Sequence, residues 1–349
     1  MKKVIIYPEK EGKENMYINN LYNTIKKNYE VIGYDEAKNS IKLFLADVYH
    51  FNWIENTQGK MIKLKYAKKR FLINILKILH KKIIWTIHNK VPHDTIKKDE
   101  TLKFMKFMAE KSDKIHILSK DTMQNDFLGQ YKEKIVYIPH GDYIGNYRDS
   151  QVDIYKRYNI NTNKKIILFL GQIKEYKNIE LLIRSFIESN LQLSGYILLI
   201  CGKCGDEKYK EKLKNMSNES IYFDFNFIKN EEMKSYLDCA EILVAPYNKE
   251  SSLNSGTLWM CMSYKKTMIL PLIGCIKDIK NYNEFLYVYD YKDFNDHYDN
   301  LFKTMVRIKN DIEKDKNILK NKGEMAYNYI LKNQTWKVWK KEWINLYMF

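Results

Sequence analysis

The chain has only five cysteines, Cys201, Cys204, Cys239, Cys261 and Cys275. Odd in number, confined to one half and mostly inside apolar runs, they do not read as a disulfide framework and fit a reducing compartment. Nowhere do about 18 apolar residues run uninterrupted, so no membrane-spanning helix is expected. Met1 to Tyr7 pass from two lysines straight into Val-Ile-Ile, without the apolar core and small-residue cleavage site of an export signal. The expected location is therefore the cytoplasm. There is no G-x-G-x-x-G, which disfavours a dinucleotide cofactor, and no G-x-x-x-x-G-K-[ST], which argues against a P-loop NTPase. No D-x-D triplet offers a handle for a divalent metal. Cys201-Gly202-Lys203-Cys204 has redox spacing but follows an apolar strand mid-chain and has no second pair for zinc.

What is present is an ordinary globular composition, 45% hydrophobic and 29% charged over 349 residues. At roughly 150 residues per domain that is about two domains. The formal charge of +16 points to an anionic partner: nucleic acid, a phosphorylated ligand or an acidic membrane surface. The first 150 residues hold 28 Lys and Arg against 18 Asp and Glu, so the excess lies towards the N-terminus. Lys60 to Lys82 alone carries nine basic residues and no acid, interleaved with Met61, Ile62, Leu64, Phe71, Leu72, Ile75, Leu76 and Leu79. A basic amphipathic helix of that kind can lie on an anionic membrane; the plainer alternative is a sheet-covering helix with a basic outer face.

Short aliphatic runs alternate with longer amphipathic stretches, the pattern of parallel sheets covered by helices. Expected strands in the first half are Lys3–Tyr7, Ile41–Ala46, Lys82–Ile87, Lys114–Leu118 and Ile135–Ile138. A second set follows at Lys165–Gly171, Gly195–Gly202, Ile221–Phe223, Glu241–Pro246, Thr267–Pro271 and Phe285–Tyr289. Two doubly wound α/β domains joined near Tyr143 to Val152 account for this. In such sheets ligands sit beyond the carboxyl ends of strands, so the residues that follow strands deserve the closest reading.

One strand runs through Gly171 into Gln172-Ile173-Lys174-Glu175-Tyr176-Lys177-Asn178, ahead of a helix carrying Ile179, Leu182, Ile183 and Phe186. Lys174 and Lys177 can both face a diphosphate over that helix start, adding point charges to its dipole. Farther on, Asn254-Ser255-Gly256-Thr257 precedes the apolar run Leu258 to Tyr264. It supplies an N-cap, a residue without Cβ bulk and several N–H groups without helical partners. The plain readings are a solvated basic loop and a simple helix cap. Glu250, near a strand end, can accept hydrogen bonds from sugar hydroxyls. In the first half, Thr86-Ile87-His88-Asn89-Lys90-Val91-Pro92-His93-Asp94 lies at and beyond a strand end, where such residues can orient hydroxyls or move protons near neutral pH. His88 and His93 are five apart in a Pro-containing loop without a nearby third ligand, so a metal centre is not expected. Ile138-Pro139-His140-Gly141 closes this half with another His, and Asp47 to Trp53 brings His50 and Trp53 to a strand end.

Together these phrases resemble the GT-B glycosyltransferases, most closely the family 4-like bacterial enzymes that build capsule, exopolysaccharide or O-antigen repeats. The resemblance covers nearly the whole chain. It implies two Rossmann-like doubly wound domains facing a cleft: an acceptor-binding domain over 1–148 and a nucleotide-sugar-binding domain over 149–325. Residues 326–349, with Thr335-Trp336 and a closing aromatic-basic helix, resemble the family's C-terminal helix, which packs back on the N-terminal domain. The implied activity moves a hexose-type sugar from a nucleotide-diphosphate sugar to a saccharide or polyprenyl-diphosphate-linked acceptor in bacterial surface polysaccharide synthesis. No metal, no other cofactor and no nucleic acid enter that reaction, and the implied place is the cytoplasm, peripheral on the inner membrane face through Lys60 to Lys82. Residue by residue, Gly171, Lys174, Lys177, Ser255, Gly256 and Thr257 would bind the donor diphosphate. Glu250 would match the first acid of the family's E-x7-E motif, and His88 the histidine near the reacting carbon, with His93 or Asp94 as the second candidate base. His50, Trp53, Asn89 and His140 would line the acceptor side. Leu258 stands where the motif's second acid falls, and Gln172 where an arginine is usual. A nucleotide-sugar epimerase of the same fold and a basic nucleic-acid-binding protein are the alternatives; the first needs acids and bases around one sugar, the second a recognisable RNA or DNA module.

Overall fold

The structure, a computed structural model, describes residues 1–8, 15–57, 59, 61–90, 98–150 and 152–349. Strands that are buried on both faces read as continuous apolar runs, and Lys-Ile-Ile-Leu-Phe-Leu and Tyr-Ile-Leu-Leu-Ile-Cys at the centre of the second sheet are of this type. The first sheet contains β1 (Lys3–Tyr7), β2 (Glu30–Gly33), β3 (Val48–Asn52), β4 (Lys82–Ile87), β5 (Lys114–Ile117) and β6 (Ile135–Tyr137), in the order β2-β1-β3-β4-β5-β6. The second contains β7 (Lys165–Leu170), β8 (Tyr196–Cys201), β9 (Ile221–Asp224), β10 (Ala240–Val244), β11 (Thr267–Pro271) and β12 (Tyr287–Tyr289), in the order β12-β11-β10-β7-β8-β9. All neighbours pair in parallel. The winding reverses between β1 and β3 in one sheet and between β7 and β10 in the other. These switch points leave the ligand-accepting crevices of doubly wound sheets.

Two compact units result. One comprises Met1–Gly141, Glu250–Asn254 and Gln334–Phe349; the other comprises Asp142–Lys249 and Ser255–Asn333. The first unit thus ends at Gly141, against the expected 148, because the backbone N–H groups of Tyr143 and Tyr147 are held by Ser263 Oγ (3.0 Å) and Tyr264 Oη (2.8 Å) of the second. The helix Ile318–Asn333 also stays with the second unit. Lys322 Nζ donates there to the carbonyls of Asn283 (3.3 Å) and Glu284 (2.7 Å), so the closing segment starts at Gln334 and not at 326.

In the first unit, Tyr49, Phe51 and Trp85 pack one face of the sheet against α2 (Ile62–Ile78) and α3 (Lys98–Lys111). The other face packs Val4, Ile6 and Ile84 against α1 (Met16–Ile25) and against Trp343, Leu346 and Tyr347 of the closing segment. Each fully buried aliphatic side chain there contributes about 1.5–3 kcal/mol relative to exposure. Lys114 fastens the segment's end by donating to the carbonyls of Asn345 (3.1 Å), Leu346 (2.9 Å) and Met348 (2.7 Å), orphan acceptors at a helix C-terminus.

The expected strand Ile41–Ala46 is a helical turn, Lys42–Leu45, and the strand starts two residues later at Val48. Ser40 Oγ accepts the Lys42 N–H (3.2 Å), the Tyr49 hydroxyl donates to the Leu43 carbonyl, and only Leu43 of Lys42–Leu45 is buried. The basic run Lys60 to Lys82 supplies α2 and the first residue of β4, with Lys60 outside the described residues. Ile62, Tyr66, Ile73 and Leu76 face the core. Leu64, Phe71 and Ile78, seven apart on one line of the outer face, remain exposed at 46%, 69% and 75% beside Lys63, Lys65 and Lys68. Two of its cations turn inward or sideways. Lys77 pairs with Asp113 at 2.8 Å, and Lys69 donates to the Ile54 carbonyl and to Thr57 Oγ1 (2.7 Å). Among the described residues no helix is long and apolar enough to cross a membrane.

Candidate active site

In the second unit the switch point is framed by the exits of β7 and β10. Gly202, just after β8, permits the close approach of the β7 and β8 exits: a Cβ there would meet the Gly171 carbonyl oxygen at 1.8 Å. After Gly171 the chain makes the turn Glu175–Lys177 and enters Asn178 in a left-handed conformation, φ 53°, ahead of α4 (Ile179–Glu188). Asn178 Nδ2 donates to the Pro246 carbonyl at 2.9 Å, tying the β7 exit to the β10 exit. Pro246 stops the β10 ladder and delivers Tyr247 into a buried position. The Lys177 ammonium lies 4.4 Å from the centre of the Tyr247 ring and 5.2 Å from that of Tyr176; Lys174 lies 5.9 Å from Tyr176. Cations over aromatic faces are attracted to the ring quadrupole.

The Tyr247 hydroxyl is 2.8 Å from Ser255 Oγ, and Thr257 also bonds to this phenol. Burial raises the Tyr247 hydroxyl's pKa, so it stays a neutral hydrogen-bonding group. Ser255 is the N-cap of α5 (Gly256–Ser263), its Oγ accepting the Leu258 N–H at 3.1 Å. The Gly256 and Thr257 amides, at the first two helical positions, have no acceptor within the helix. A Cβ at Gly256 would come to 3.0 Å from the Tyr143 hydroxyl, a tight contact at the residue that begins this helix. Lys249 is anchored away from the group by Asp290, at 2.6 Å.

In the first unit the exits of β3 and β4 lie side by side, Asn52 in register with Thr86. His88 Nε2 is 3.1 Å from Asn52 Oδ1, and Trp53 stacks on the imidazole at 3.8 Å with 19° between planes. Tyr17 meets His88 edge-on at 5.4 Å and packs on His140 at 4.9 Å. Burial, helped by the neighbouring His116, His140 and His50, drives the His88 pKa well below the ordinary imidazole value, so the ring is neutral. Asn89 follows directly and is half-buried. His93 and Asp94 lie outside the described residues.

His50 is placed differently from a substrate-lining role. Because β3 runs Val48–Asn52, His50 is mid-strand and fully buried. His116 Nε2 faces the Ile138 carbonyl (2.8 Å) and so carries a proton, and its Nδ1 accepts from Thr86 Oγ1 (2.9 Å). Thr86 in turn accepts from His50 Nε2 (2.6 Å), leaving His50 Nδ1 to accept from the Tyr347 hydroxyl (2.6 Å). His50 therefore anchors the closing segment. His140 is buried, with Nδ1 2.7 Å from the Gly141 carbonyl oxygen.

The structure brings Lys177, Ser255 and Thr257 around the Tyr247 ring, with Gly256 between the last two in sequence and Lys174 one aromatic farther out, and in the other unit it brings His88 and Trp53 together. Glu250 is exposed and belongs with the first unit's Glu250–Asn254 stretch, whose Leu253 enters that unit's core. Sequence reasoning missed Tyr247, Asn178 and Asn52 as site residues. For Tyr247 the signal was available in Ala245-Pro246-Tyr247, an aromatic delivered by a strand-stopping proline; for Asn52 it required knowing which strands are neighbours. Among the described residues, no three His, Cys, Asp or Glu side chains are grouped to hold a metal ion.

Solved structures share this architecture over almost the whole chain. Sucrose-phosphate synthase from Thermosynechococcus elongatus superposes with a TM-score of 0.73 at 14% identity, covering 99% of this chain and 98% of that one. HepE from Anabaena, in complex with UDP-glucose, gives 0.71 at 11% identity and covers 99% and 98%. WaaG, a glycosyltransferase involved in lipopolysaccharide biosynthesis, gives 0.65 at 12% identity and covers 99% and 100%. The fold is thus that of the GT-B glycosyltransferases. More narrowly, the model of the family Glycosyl transferases group 1 matches residues 151–252, the stretch that holds Gly171, Lys174, Lys177 and Glu250. No curated protein sequence matches the chain.

Proposed function

We propose that this chain is a glycosyltransferase that moves a hexose-type sugar from a nucleotide-diphosphate sugar to a lipid-linked saccharide, in the synthesis of a bacterial surface polysaccharide. One observation carries the reading: a lysine, a phenol and a capped helix start are held together at the β7/β10 switch point, with Lys177 Nζ 4.4 Å from the Tyr247 ring and Tyr247 Oη 2.8 Å from Ser255 Oγ. When the bond between the anomeric carbon and the diphosphate oxygen breaks, negative charge grows on the leaving group. Lys174, Lys177 and the Gly256 and Thr257 amides neutralise it, reinforced by the helix dipole, and this array makes a metal unnecessary. The acceptor oxygen bonds to the anomeric carbon, and its proton passes to a base assigned to His88. HepE's complex with UDP-glucose and the group 1 match support the donor class, and WaaG's part in lipopolysaccharide synthesis supports the acceptor class. The outer face of α2, with Leu64, Phe71 and Ile78 among lysines, suits an anionic bilayer, where each basic residue adds about 1 kcal/mol.

Thermal unfolding in the presence of UDP, GDP, dTDP and CMP tests the proposal. A true donor site raises the melting temperature by mass action, equivalent to about 2.7 kcal/mol at a ligand concentration of 100 Kd. One nucleotide is expected to stabilise the wild type and to have little effect on Lys177→Ala; no shift with any of the four would remove the donor site. Incubation with the matching nucleotide sugar alone should leave the sugar unchanged, and an epimerised product would replace transfer with epimerisation.

A further inference from the structure

The β1/β3 switch point of the first unit holds an arrangement that the transfer reading does not require. Asn52 ends β3, and its Nδ2 donates to the Tyr7 carbonyl at the end of β1, at 3.2 Å. A carbonyl oxygen only accepts, so this contact fixes the amide's orientation and turns Oδ1 towards His88, 3.1 Å from Nε2. Oδ1 also only accepts, and the hydrogen must therefore sit on Nε2. The ring is held in place from a second direction. Trp53 adopts a left-handed backbone, φ 50°, which costs a residue other than glycine free energy, and its indole lies flat on the imidazole at 3.8 Å. Tyr17 closes the edge. The other groups that bear electrostatically on His88 are His116, His140 and His50, all buried imidazoles. Among the described residues none bonds to His88 Nδ1.

We infer that Asn52 is a positioning residue: clamped by the Tyr7 carbonyl, it holds His88 as the Nε2–H tautomer and leaves Nδ1 as the nitrogen presented to a substrate hydroxyl. The inference rests on the assignment of His88 as the base, and it adds which nitrogen acts and what sets it. In the reaction the acceptor's proton moves to Nδ1 while the Nε2–H bond to Asn52 Oδ1 persists and stabilises the imidazolium that forms.

The test is the long-range proton–nitrogen NMR spectrum of the full chain labelled with nitrogen-15 histidine, with His88→Gln used for assignment. At neutral pH the wild type should show His88 protonated on Nε2 alone. Asn52→Leu should release a mixture of tautomers and lower kcat roughly 10- to 100-fold with little change in KM. Asn52→Asp keeps an acceptor but adds a charge beside the ring, which should raise its pKa and move the low-pH limb of the activity profile to higher pH. A wild-type His88 protonated on Nδ1, or charged at neutral pH, overturns the inference whether or not the variants fold. So does an unchanged tautomer in Asn52→Leu. If the tautomer responds as stated and turnover does not, the positioning by Asn52 stands and the assignment of His88 as base falls.

Discussion

Beyond β7 and β10 the second unit gathers lysines, a phenol and the start of a helix, whereas beyond β3 and β4 the first unit gathers an imidazole, an amide and aromatic rings. Both sets sit at strand exits beside a switch point, and both are fixed by side chains that bridge neighbouring exits: Asn178 to Pro246 in one, Asn52 to Tyr7 in the other. They differ in charge. Lys177 keeps its ammonium over an aromatic face, while burial makes His88 an uncharged ring. The difference follows from the work proposed for each. A group that meets a departing diphosphate must bring charge, and a group that takes a proton must first be without one.

The comparison breaks most sharply at Lys177. Lys177→Ala removes the charge but leaves Tyr247 and the cap of α5 in place, so turnover should fall roughly 10²- to 10³-fold while the denaturation midpoint barely moves. Near wild-type transfer would show that the second unit does not work through charge. The first unit's avoidance of charge extends to an acid. Glu55, just after β3, is fully buried, accepts the Trp85 indole N–H at 3.1 Å, and is pushed by burial up to about 7 from the ordinary 4.5. The folded state therefore holds this proton more tightly than the unfolded chain. Glu55's contribution to stability is full below about pH 4.5 and declines as pH rises to about 7, by roughly 3 kcal/mol. Glu55→Gln keeps an acceptor for Trp85 and should flatten that decline. Urea unfolding of both proteins between pH 4.5 and 8 measures the difference, and parallel curves would refute the buried-acid account.

Local chemistry was legible in the sequence; neighbour relations across the sheet were not. Lys174, Lys177 and Ser255-Gly256-Thr257 could be picked out because a cation-bearing loop and a capping residue directly follow strand-like runs. Asn52 acts through residues distant in sequence, and its role appears only once β3 is seen beside β1; Tyr247 was signalled by Pro246, but its contact with Lys177 needs β10 beside β7. The apolar stretch Ile41–Ala46 carried a strand-like composition, but Ser40 and Tyr49 hold it as a helical turn. That moves the strand to Val48–Asn52 and takes His50 from an expected strand end to the inside of the sheet. On α2 the sequence showed a basic amphipathic run without saying which apolar residues face inward; Tyr66 and Ile73 do, and Phe71 does not.

That outer face allows a separation of stability from surface binding. Phe71→Ser alters a residue 69% exposed, so stability should change by no more than about 0.5 kcal/mol. If the face meets a bilayer, losing the ring forfeits about 1.5–2 kcal/mol of apolar burial, roughly a tenfold or greater drop in binding to phosphatidylglycerol vesicles in a sedimentation assay. Equal binding by the two proteins would return α2 to the role of a sheet-covering helix with a basic exterior.

The smallest expected effect lies at Ser255, where structure and charge can be pulled apart. Ser255→Ala loses the bonds to the Leu258 N–H and to the Tyr247 hydroxyl, and helix caps of this kind contribute about 1 kcal/mol. Nucleotide affinity should change little, because the Gly256 and Thr257 amides remain. Ser255→Asp restores an acceptor for the Leu258 N–H and should recover the stability, but its carboxylate occupies the positive end of α5, where the diphosphate is proposed to sit. Stability regained together with affinity lost, read from denaturation midpoints and nucleotide titrations of the same two variants, would locate the anion site in the amides and dipole of the helix start. Affinity unchanged in Ser255→Asp would place the diphosphate elsewhere and leave Lys174 and Lys177 without their helix partner.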